Sequence, residues 1–362
     1  MRPTDLEAAP LVLQLAPNDH PPFADLLLSY RLALESLGCE VETVCLAPPK
    51  GAAVAGIHYL GLEDLSRHAG KAALGVEALV ADRKPVLAVC HRYRSYRVLR
   101  RSALKVPRVV AVAHEFSFFK RFQRRLERRL FGRHVLFAGV SPAVQAELGK
   151  EVEDPLLLPN ALDLASLAAS RLDRDAACAR LGLGVVPKET FTVGLVGRLV
   201  EKKSPELAIQ ALAELKAAGK DVRLIVVGDG PLRAGLETLA EGLPVEFTGF
   251  VADARSLFQA FDALLLSSQA VEAFGMVALE AMCSRVPVVS GPLPGPQYVL
   301  GGSGFYYTER TPEAVAAAIV EVLAARDQGA LTERLDHAEA RAQREFSVAA
   351  LARHLDPLFY HG

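Results

Sequence analysis

No uninterrupted apolar run approaches about 18 residues, which argues against a helix that spans a membrane. Cysteine is scarce: Cys39, Cys45, Cys90, Cys178 and Cys283 form an odd and scattered set. Cys39 and Cys45 lack CxxC spacing and a second pair, so neither a zinc site nor a disulfide framework is read from them, and buried thiols in a reducing cytoplasm are expected. The opening MRPTDLEAAPLVLQLAP puts acids before a very short apolar run, unlike a secretory signal. No GxGxxG follows the first apolar run with an acid about 20 residues on, which argues against a nicotinamide dehydrogenase. Net charge is nearly absent, −1 over 362 residues, and on its own predicts no polyanionic partner.

What is present is a globular composition, 51% hydrophobic and 23% charged, in a chain long enough for two domains. The stretch from Phe191 to Ser290 organises it. FTVGLV, VRLIVVG, VEFTG and ALLLSS are short apolar runs, each followed by a turn and most by a segment of helical period, the pattern of buried parallel strands under covering helices. Ligands of such open α/β sheets bind outside the carboxyl ends of the strands. Earlier in the chain, LVLQLAP, CEVETVCLAP and IHYLG read as strands and Asp25 to Leu37 as a helix. Glu63 to Asp82 reads as helical, PVLAVCHRYRSY and VPRVVAVAHEFSF as strand then loop, and HVLFAGVS as a strand before a helix capped by Ser141 with Pro142 at its first position. The expected division is an N-terminal Rossmann-like domain over 1–165, joined by a crossover that runs RLDRDAACARLGLGVVPKE, and a C-terminal Rossmann-like domain over 185–340. In the latter, LPGPQYVLGGSG reads as a loop, and Thr311 caps a helix beginning at Pro312. The tail, about 340–362, is mostly helical, and its apolar stripe is expected to cover the first domain.

Candidate chemistry gathers in the second half. Gly194-Leu195-Val196-Gly197-Arg198, then Glu201, Lys202 and Lys203, places cations beside a helix opening at Ser204-Pro205, a reasonable phosphate cradle. Gly228-Asp229-Gly230 and Gly249-Phe250 follow the next two strands. In Glu272-Ala273-Phe274-Gly275-Met276-Val277-Ala278-Leu279-Glu280, a helix beginning near Gly275 would leave the amides of Gly275, Met276 and Val277 open to a diphosphate. Glu280 lies deeper on that helix among Leu279, Ala281 and Met282, where an unpaired carboxylate is costly; it can accept from both hydroxyls of a ribose.

These elements, GLVGRLVEKKSPELAIQAL, LIVVGDGPLR, VEFTGFV, the two glutamates of EAFGMVALE and PVVSG, resemble the retaining GT-B glycosyltransferases of family 4. That group includes bacterial lipopolysaccharide core and mannosyl transferases. The first half is similar more loosely, through AVAHEFSF and LLLPNALD. The resemblance implies two Rossmann-like domains facing each other across a cleft, the C-terminal helix returning to the first. It implies a hexosyltransferase acting on a nucleotide-sugar, a UDP-sugar ahead of GDP-mannose, with no tightly bound cofactor and no metal. By the same likeness Arg198 and Lys203 would neutralise the donor diphosphate, with Gly197, Gly228, Phe250, Phe274, Gly275, Met276 and Val277 around it. Glu280 would bind ribose, Glu272 the transferred sugar, and His114 a sugar hydroxyl or the developing charge. The chain departs from the family in three places. The usual Gly-Gly of the first loop reads Pro17-Asn18-Asp19-His20-Pro21-Pro22, where Asp19 or His20 would serve the acceptor. Glu-Pro-Phe-Gly reads Glu272-Ala273-Phe274-Gly275, and Gln297 stands where an acid is common.

Charge is unevenly spread. Between Arg83 and Arg133 there are sixteen Arg or Lys against two acids, Glu115 and Glu127. KRFQRRLERRLFGRH, Lys120 to His134, sets Phe122, Leu126, Leu130 and Phe131 between basic positions 120, 121, 124, 125, 128, 129 and 133, the pattern of an interfacial amphipathic helix. No nucleic-acid module surrounds it. The expected acceptor is a phosphorylated or lipid-linked glycan such as a lipopolysaccharide core, on the cytoplasmic face of the inner membrane, with the enzyme peripherally attached. A sugar-nucleotide epimerase and a nonenzymatic nucleotide-sugar-binding module are the other readings.

Overall fold

The computed structural model describes residues 9–65, 67–132, 134–184, 189–269 and 272–360. Arg133 of the basic stretch, residues 185–188 of the crossover, the first eight residues of the opening segment and the last two of the tail lie outside them. The chain divides into two compact units, Met1–Asp163 with Arg344–Gly362, and Leu164–Gln343.

The first unit holds β1 (Leu11–Ala16), α1 (Phe23–Ser36), β2 (Glu40–Cys45), β3 (Ile57–Tyr59), α2 (Ala69–Val80), β4 (Leu87–His91), α3 (Arg92–Arg101) and β5 (Arg108–Ala113). It continues with α4 (Phe122–Phe131), β6 (Val135–Gly139), α5 (Pro142–Leu148) and β7 (Leu156–Leu157). The seven strands run parallel in the order β3-β2-β1-β4-β5-β6-β7. Strands β1 and β4 are buried at every position, as a parallel sheet covered on both faces requires. The order reverses between β1 and β4, whose registers pair Gln14 with Val89 and Leu15 with Cys90.

The second unit opens with α6 (Leu164–Ser170) and α7 (Arg174–Arg180), then β8 (Phe191–Val196), α8 (Pro205–Ala217), β9 (Val222–Val227), α9 (Arg233–Leu239) and β10 (Val245–Gly249). After these come β11 (Ala263–Leu266), α10 (Met276–Cys283), β12 (Val288–Ser290), α11 (Pro294–Leu300), β13 (Phe305–Tyr306), α12 (Pro312–Asp327) and α13 (Leu331–Glu345). Its six parallel strands are ordered β10-β9-β8-β11-β12-β13, with the reversal between β8 and β11. The core between sheet and helices includes Phe191, Val193, Ile209, Leu212, Leu224, Val226, Val315 and Ile319. A last helix, α14 (Val348–Leu355), packs on α1 of the first unit, where Leu162 donates its backbone N–H to the carbonyl of Phe346 at 2.9 Å.

Two caps stand where the sequence puts them. Ser141 Oγ accepts from the Val144 amide at 3.4 Å and Thr311 Oγ1 from the Ala314 amide at 3.2 Å, each followed by proline at the first helical position. Three expectations need correction. The segment after β4 is a helix, not a loop: Arg92 adopts φ 67° and turns the chain at once from strand into α3, whose buried Tyr93, Tyr96 and Leu99 recur at helical spacing among half-buried and exposed arginines. Pro294-Gly295-Pro296 opens α11 instead of a loop, because both prolines fall in the first turn, where backbone N–H groups have no helical partner. Helix α2 begins at Ala69, six residues later than the apolar pattern suggests.

Candidate functional site

In the second unit the polar residues converge where the strand order reverses, at the carboxyl ends of β8 and β11. Strand β8 is followed by Gly197, whose amide donates to the Val227 carbonyl at 2.9 Å; Gly228, after β9, donates to the carbonyl of Gly249, the last residue of β10, at 2.8 Å. The three chain ends approach so closely that a Cβ on Gly228 would lie 1.8 Å from the Gly197 carbonyl oxygen, and Gly228 itself has φ 143°. Only glycine fits there. Arg198 follows, exposed and without an ion-pair partner among the described residues.

Glu201–Lys203 form one 3-10 turn ending at Ser204, which has φ 42° and precedes Pro205. The loop after β11 holds this turn from the other side. Ser267 Oγ donates to the Lys203 carbonyl at 2.9 Å, the Gln269 amide to Lys202 at 3.0 Å, and Gln269 Nε2 to Glu201 at 2.8 Å. Arg310, beyond β13, ties both loops together by donating to the Ser204 hydroxyl at 3.0 Å and to the carbonyls of Ser267 and Ser268. On this frame Lys203 Nζ meets Glu272 Oε2 at 3.0 Å, and the Ser268 hydroxyl donates to the same oxygen at 3.3 Å. The backbone of Glu272 is fixed as well, its carbonyl accepting from Gly295 at 3.1 Å.

Gly275 precedes α10 in the left-handed region, φ 96°, and a Cβ there would press on Pro296 at 3.1 Å. Among the described residues no side chain caps this end, and no acid occupies the first turn, so the amides of Met276, Val277 and Ala278 carry the partial positive charge of the helix start. Glu280 stands one turn further along, half-buried. Phe274 is buried and meets Tyr298 edge-on with centroids 6.3 Å apart, so its ring is part of the packing under the loop, whereas Phe250 is 66% exposed. The structure thus brings Gly197, Gly228, Lys203, Glu272, Gly275, Met276 and Val277 to one edge of one sheet. Arg310, Ser267, Ser268 and Gln269 escaped the sequence reading, since serines and an arginine in loops carry no periodic signal.

His114 lies in the first unit, after β5, and its environment is unusual. His91, at the end of β4, approaches it with Nδ1 to Nε2 at 2.9 Å; His91 Nε2 faces Gln14 Nε2 at 3.0 Å, and Gln14 Oε1 accepts from the Thr43 hydroxyl at 2.9 Å. Burial pushes the His91 pKa down to about 3, with the Arg92 charge adding to the effect. His114 is also held well below the ordinary histidine range, by burial first and then by His91 and Arg92, so both rings are neutral near pH 7. Asn160, from the LLLPNALD segment, lies beside His114 and works against that shift. Asp19, of the first loop, is buried and accepts from the Tyr59 hydroxyl at 3.0 Å, while His20 is exposed.

Residues 190–325 match the family described as Glycosyl transferases group 1. A GDP-mannose-dependent alpha-(1-6)-phosphatidylinositol dimannoside mannosyltransferase of Mycobacterium tuberculosis is 38% identical over 130 residues, which cover 34% of this chain and 33% of that protein. The lipopolysaccharide core biosynthesis glycosyltransferase LpsE of Rhizobium meliloti is 34% identical over 144 residues, 38% of this chain and 41% of that protein. The chain therefore spans about a third to two fifths of the length of these curated relatives. Among solved structures, Anabaena Alr3699/HepE in complex with UDP-glucose is similar with a TM-score of 0.71 at 21% identity, over 95% of this chain and 97% of that one. The relatives are named glycosyltransferases, and this chain has the two Rossmann-like, parallel-sheet domains of the GT-B fold with a glycosyl transferases group 1 segment in the second.

Proposed function

We propose that the protein is a retaining glycosyltransferase of family 4 that moves a hexose from a nucleoside diphosphate donor to a cell-envelope glycan, a lipopolysaccharide core or a related acceptor. The observation that carries this reading is the Lys203–Glu272 pair, held on a braced pair of loops beside the uncapped N-terminus of α10. A nucleoside diphosphate leaving group gathers negative charge as the glycosidic bond breaks. Cations and helix amides fixed in advance at that position stabilise the transition state more than the ground state. Lys203 and Arg198 supply the cations, the first turn of α10 the amides, Glu280 an acceptor for ribose hydroxyls, and Glu272 an acceptor for a hexose hydroxyl. His114 serves a hydroxyl of the transferred sugar. No covalent nucleophile is assigned; attack comes from the face the diphosphate leaves, its oxygen taking the acceptor proton. No metal is needed for charge neutralisation, and turnover is expected to be unchanged by EDTA.

One relative is named GDP-mannose-dependent, and the similar Anabaena structure is a complex with UDP-glucose; a UDP-hexose is the first donor to try. The lipopolysaccharide reading rests on the likeness to LpsE and on the basic half of the chain. Helix α4 supports a peripheral place on the cytoplasmic face of the inner membrane. None of its residues is buried, and Phe122, Leu126, Leu130 and Phe131 are exposed between arginines, which suits insertion at an anionic lipid surface. The epimerase reading gains nothing from the relatives described above, which are named glycosyltransferases. The test is NMR of the product formed from a UDP-hexose or GDP-mannose of α configuration. An α-glycoside on the acceptor is the expected outcome; a β-glycoside refutes retention, and an epimerised free nucleotide-sugar refutes transfer.

A further inference from the structure

The first unit contains a buried polar thread that the donor chemistry does not use. Thr43, Gln14 and His91 come from β2, β1 and β4, and each is at most 1% exposed. Polar side chains in the middle of a parallel sheet are costly unless each finds its partner. Here each does, and with the Gln14 amide turned so that Oε1 faces the Thr43 hydroxyl, the directions of the remaining hydrogen bonds follow. The Thr43 hydroxyl donates to Gln14 Oε1, so the Gln14 amide presents its N–H₂ to His91 Nε2. That nitrogen accepts, which places the single proton of neutral His91 on Nδ1, aimed at His114 Nε2 at 2.9 Å. His114 Nε2 therefore accepts, and the remaining proton of that ring sits on Nδ1, away from the thread.

Other groups hold the arrangement. The Tyr30 ring stands edge-on to His91 at 4.7 Å and 89°, and Phe23 edge-on to His114 at 5.1 Å and 71°. The Arg92 guanidinium lies 4.1 Å over Phe23. The charged groups facing the pair are Arg92 and, through it, Glu115 and Arg94. Protonating either ring would set two donors against each other inside the thread, with Arg92 close by. The Asn160 side chain, also buried, is a weak hydrogen-bond partner of the His114 ring, and its Oδ1 has no other partner among the described residues.

We propose that Gln14 and His91 are positioning residues that hold His114 as a neutral ring donating from Nδ1, so that it passes that hydrogen bond from Asn160 to a sugar oxygen and does not act as a base. The role of the donated bond rests on the transfer reading above; the tautomer does not. The test is the ring ¹⁵N spectrum of the full chain labelled in histidine, recorded between pH 5 and pH 8. The expected result is a protonated Nδ1 and a pyridine-like Nε2 for His114 throughout that range. A protonated Nε2, or titration of His114 within the range, overturns the proposal whether or not any variant folds. In the His91→Phe variant, His114 should lose its single tautomer and begin to titrate. Its transfer kcat should fall about tenfold to a hundredfold, the span commanded by residues that orient a functional histidine, with the donor KM within about twofold. Unchanged kcat and tautomer in that variant would also overturn it. If the wild type forms no glycoside while His114 shows the expected spectrum, the transfer reading fails and the positioning stands.

Discussion

Replacing Lys203 by methionine separates catalysis from stability at the donor edge, because the structure gives the two effects different sizes. The ammonium is 3.0 Å from Glu272, but the two side chains keep 30% and 19% of their exposure, so solvent screens the pair. Its loss should cost about 1 kcal/mol of stability or less, a fall in Tm of about 2–4 °C for a domain of this size. Glu272 keeps the Ser268 hydroxyl, and the backbone of residue 203 keeps its bonds to Ser267 and Val200, so the loop should hold its shape. The charge lost opposite a departing diphosphate is larger in effect: about 100- to 1000-fold in kcat, or about 3–4 kcal/mol, as for other preorganised groups at developing charge. Steady-state nucleoside diphosphate release and thermal unfolding of the same preparation measure the two. Lys203→Arg should recover part of the rate by restoring the cation. A drop in kcat below about tenfold with a large fall in Tm would make Lys203 a structural residue and exclude its role at the departing diphosphate.

Three further outcomes follow from the geometry. Gly228→Ala must push the Gly197 carbonyl aside, at a cost of about 1–3 kcal/mol, and thermal unfolding together with nucleotide titration should show lower stability and weaker donor binding. His91 is depressed to about 3 by burial, so below pH 6.5 the unfolded chain takes up a proton that the folded one refuses. Stability should fall by about 1.4 kcal/mol per pH unit for this residue as pH drops from about 6.5 toward 3, and His91→Phe should flatten that slope in urea titrations across pH. The triple change Phe122→Ser, Leu130→Ser, Phe131→Ser removes apolar area worth about 1 kcal/mol per partly inserted side chain, and cosedimentation with anionic vesicles should weaken by about a hundredfold with turnover on a soluble acceptor unchanged.

The second half was legible because its strands are continuous apolar runs and its turns carry glycines whose spacing survives as motif. Gly197, Gly228 and Gly275 all adopt positive φ. Ser141 and Thr311 were readable because a capping hydroxyl before proline has one local meaning. Helices α3 and α11 were not. In α3 the arginines outnumber the apolar residues that set the period, and in α11 two prolines and a glycine imitate a loop while occupying a first turn that tolerates them. Hardest to foresee was the thread beneath His114. Gln14 and His91 lie 77 residues apart, and His91 and His114 lie 23 apart; only the parallel order β2-β1-β4-β5 puts them side by side. Arg310 is hidden for the same reason, 106 residues from the Ser204 hydroxyl it holds.

The central claim is hexose transfer from a nucleoside diphosphate at the edge formed by Lys203, Glu272 and α10. Its most direct test is nucleoside diphosphate release from a panel of UDP- and GDP-hexoses, with and without lipopolysaccharide core acceptors, run beside Lys203→Met and Glu280→Ala. The account predicts release that depends on acceptor, from donors of one base, and is lost in both variants. Silence across the panel, or equal release by wild type and variants, would contradict it.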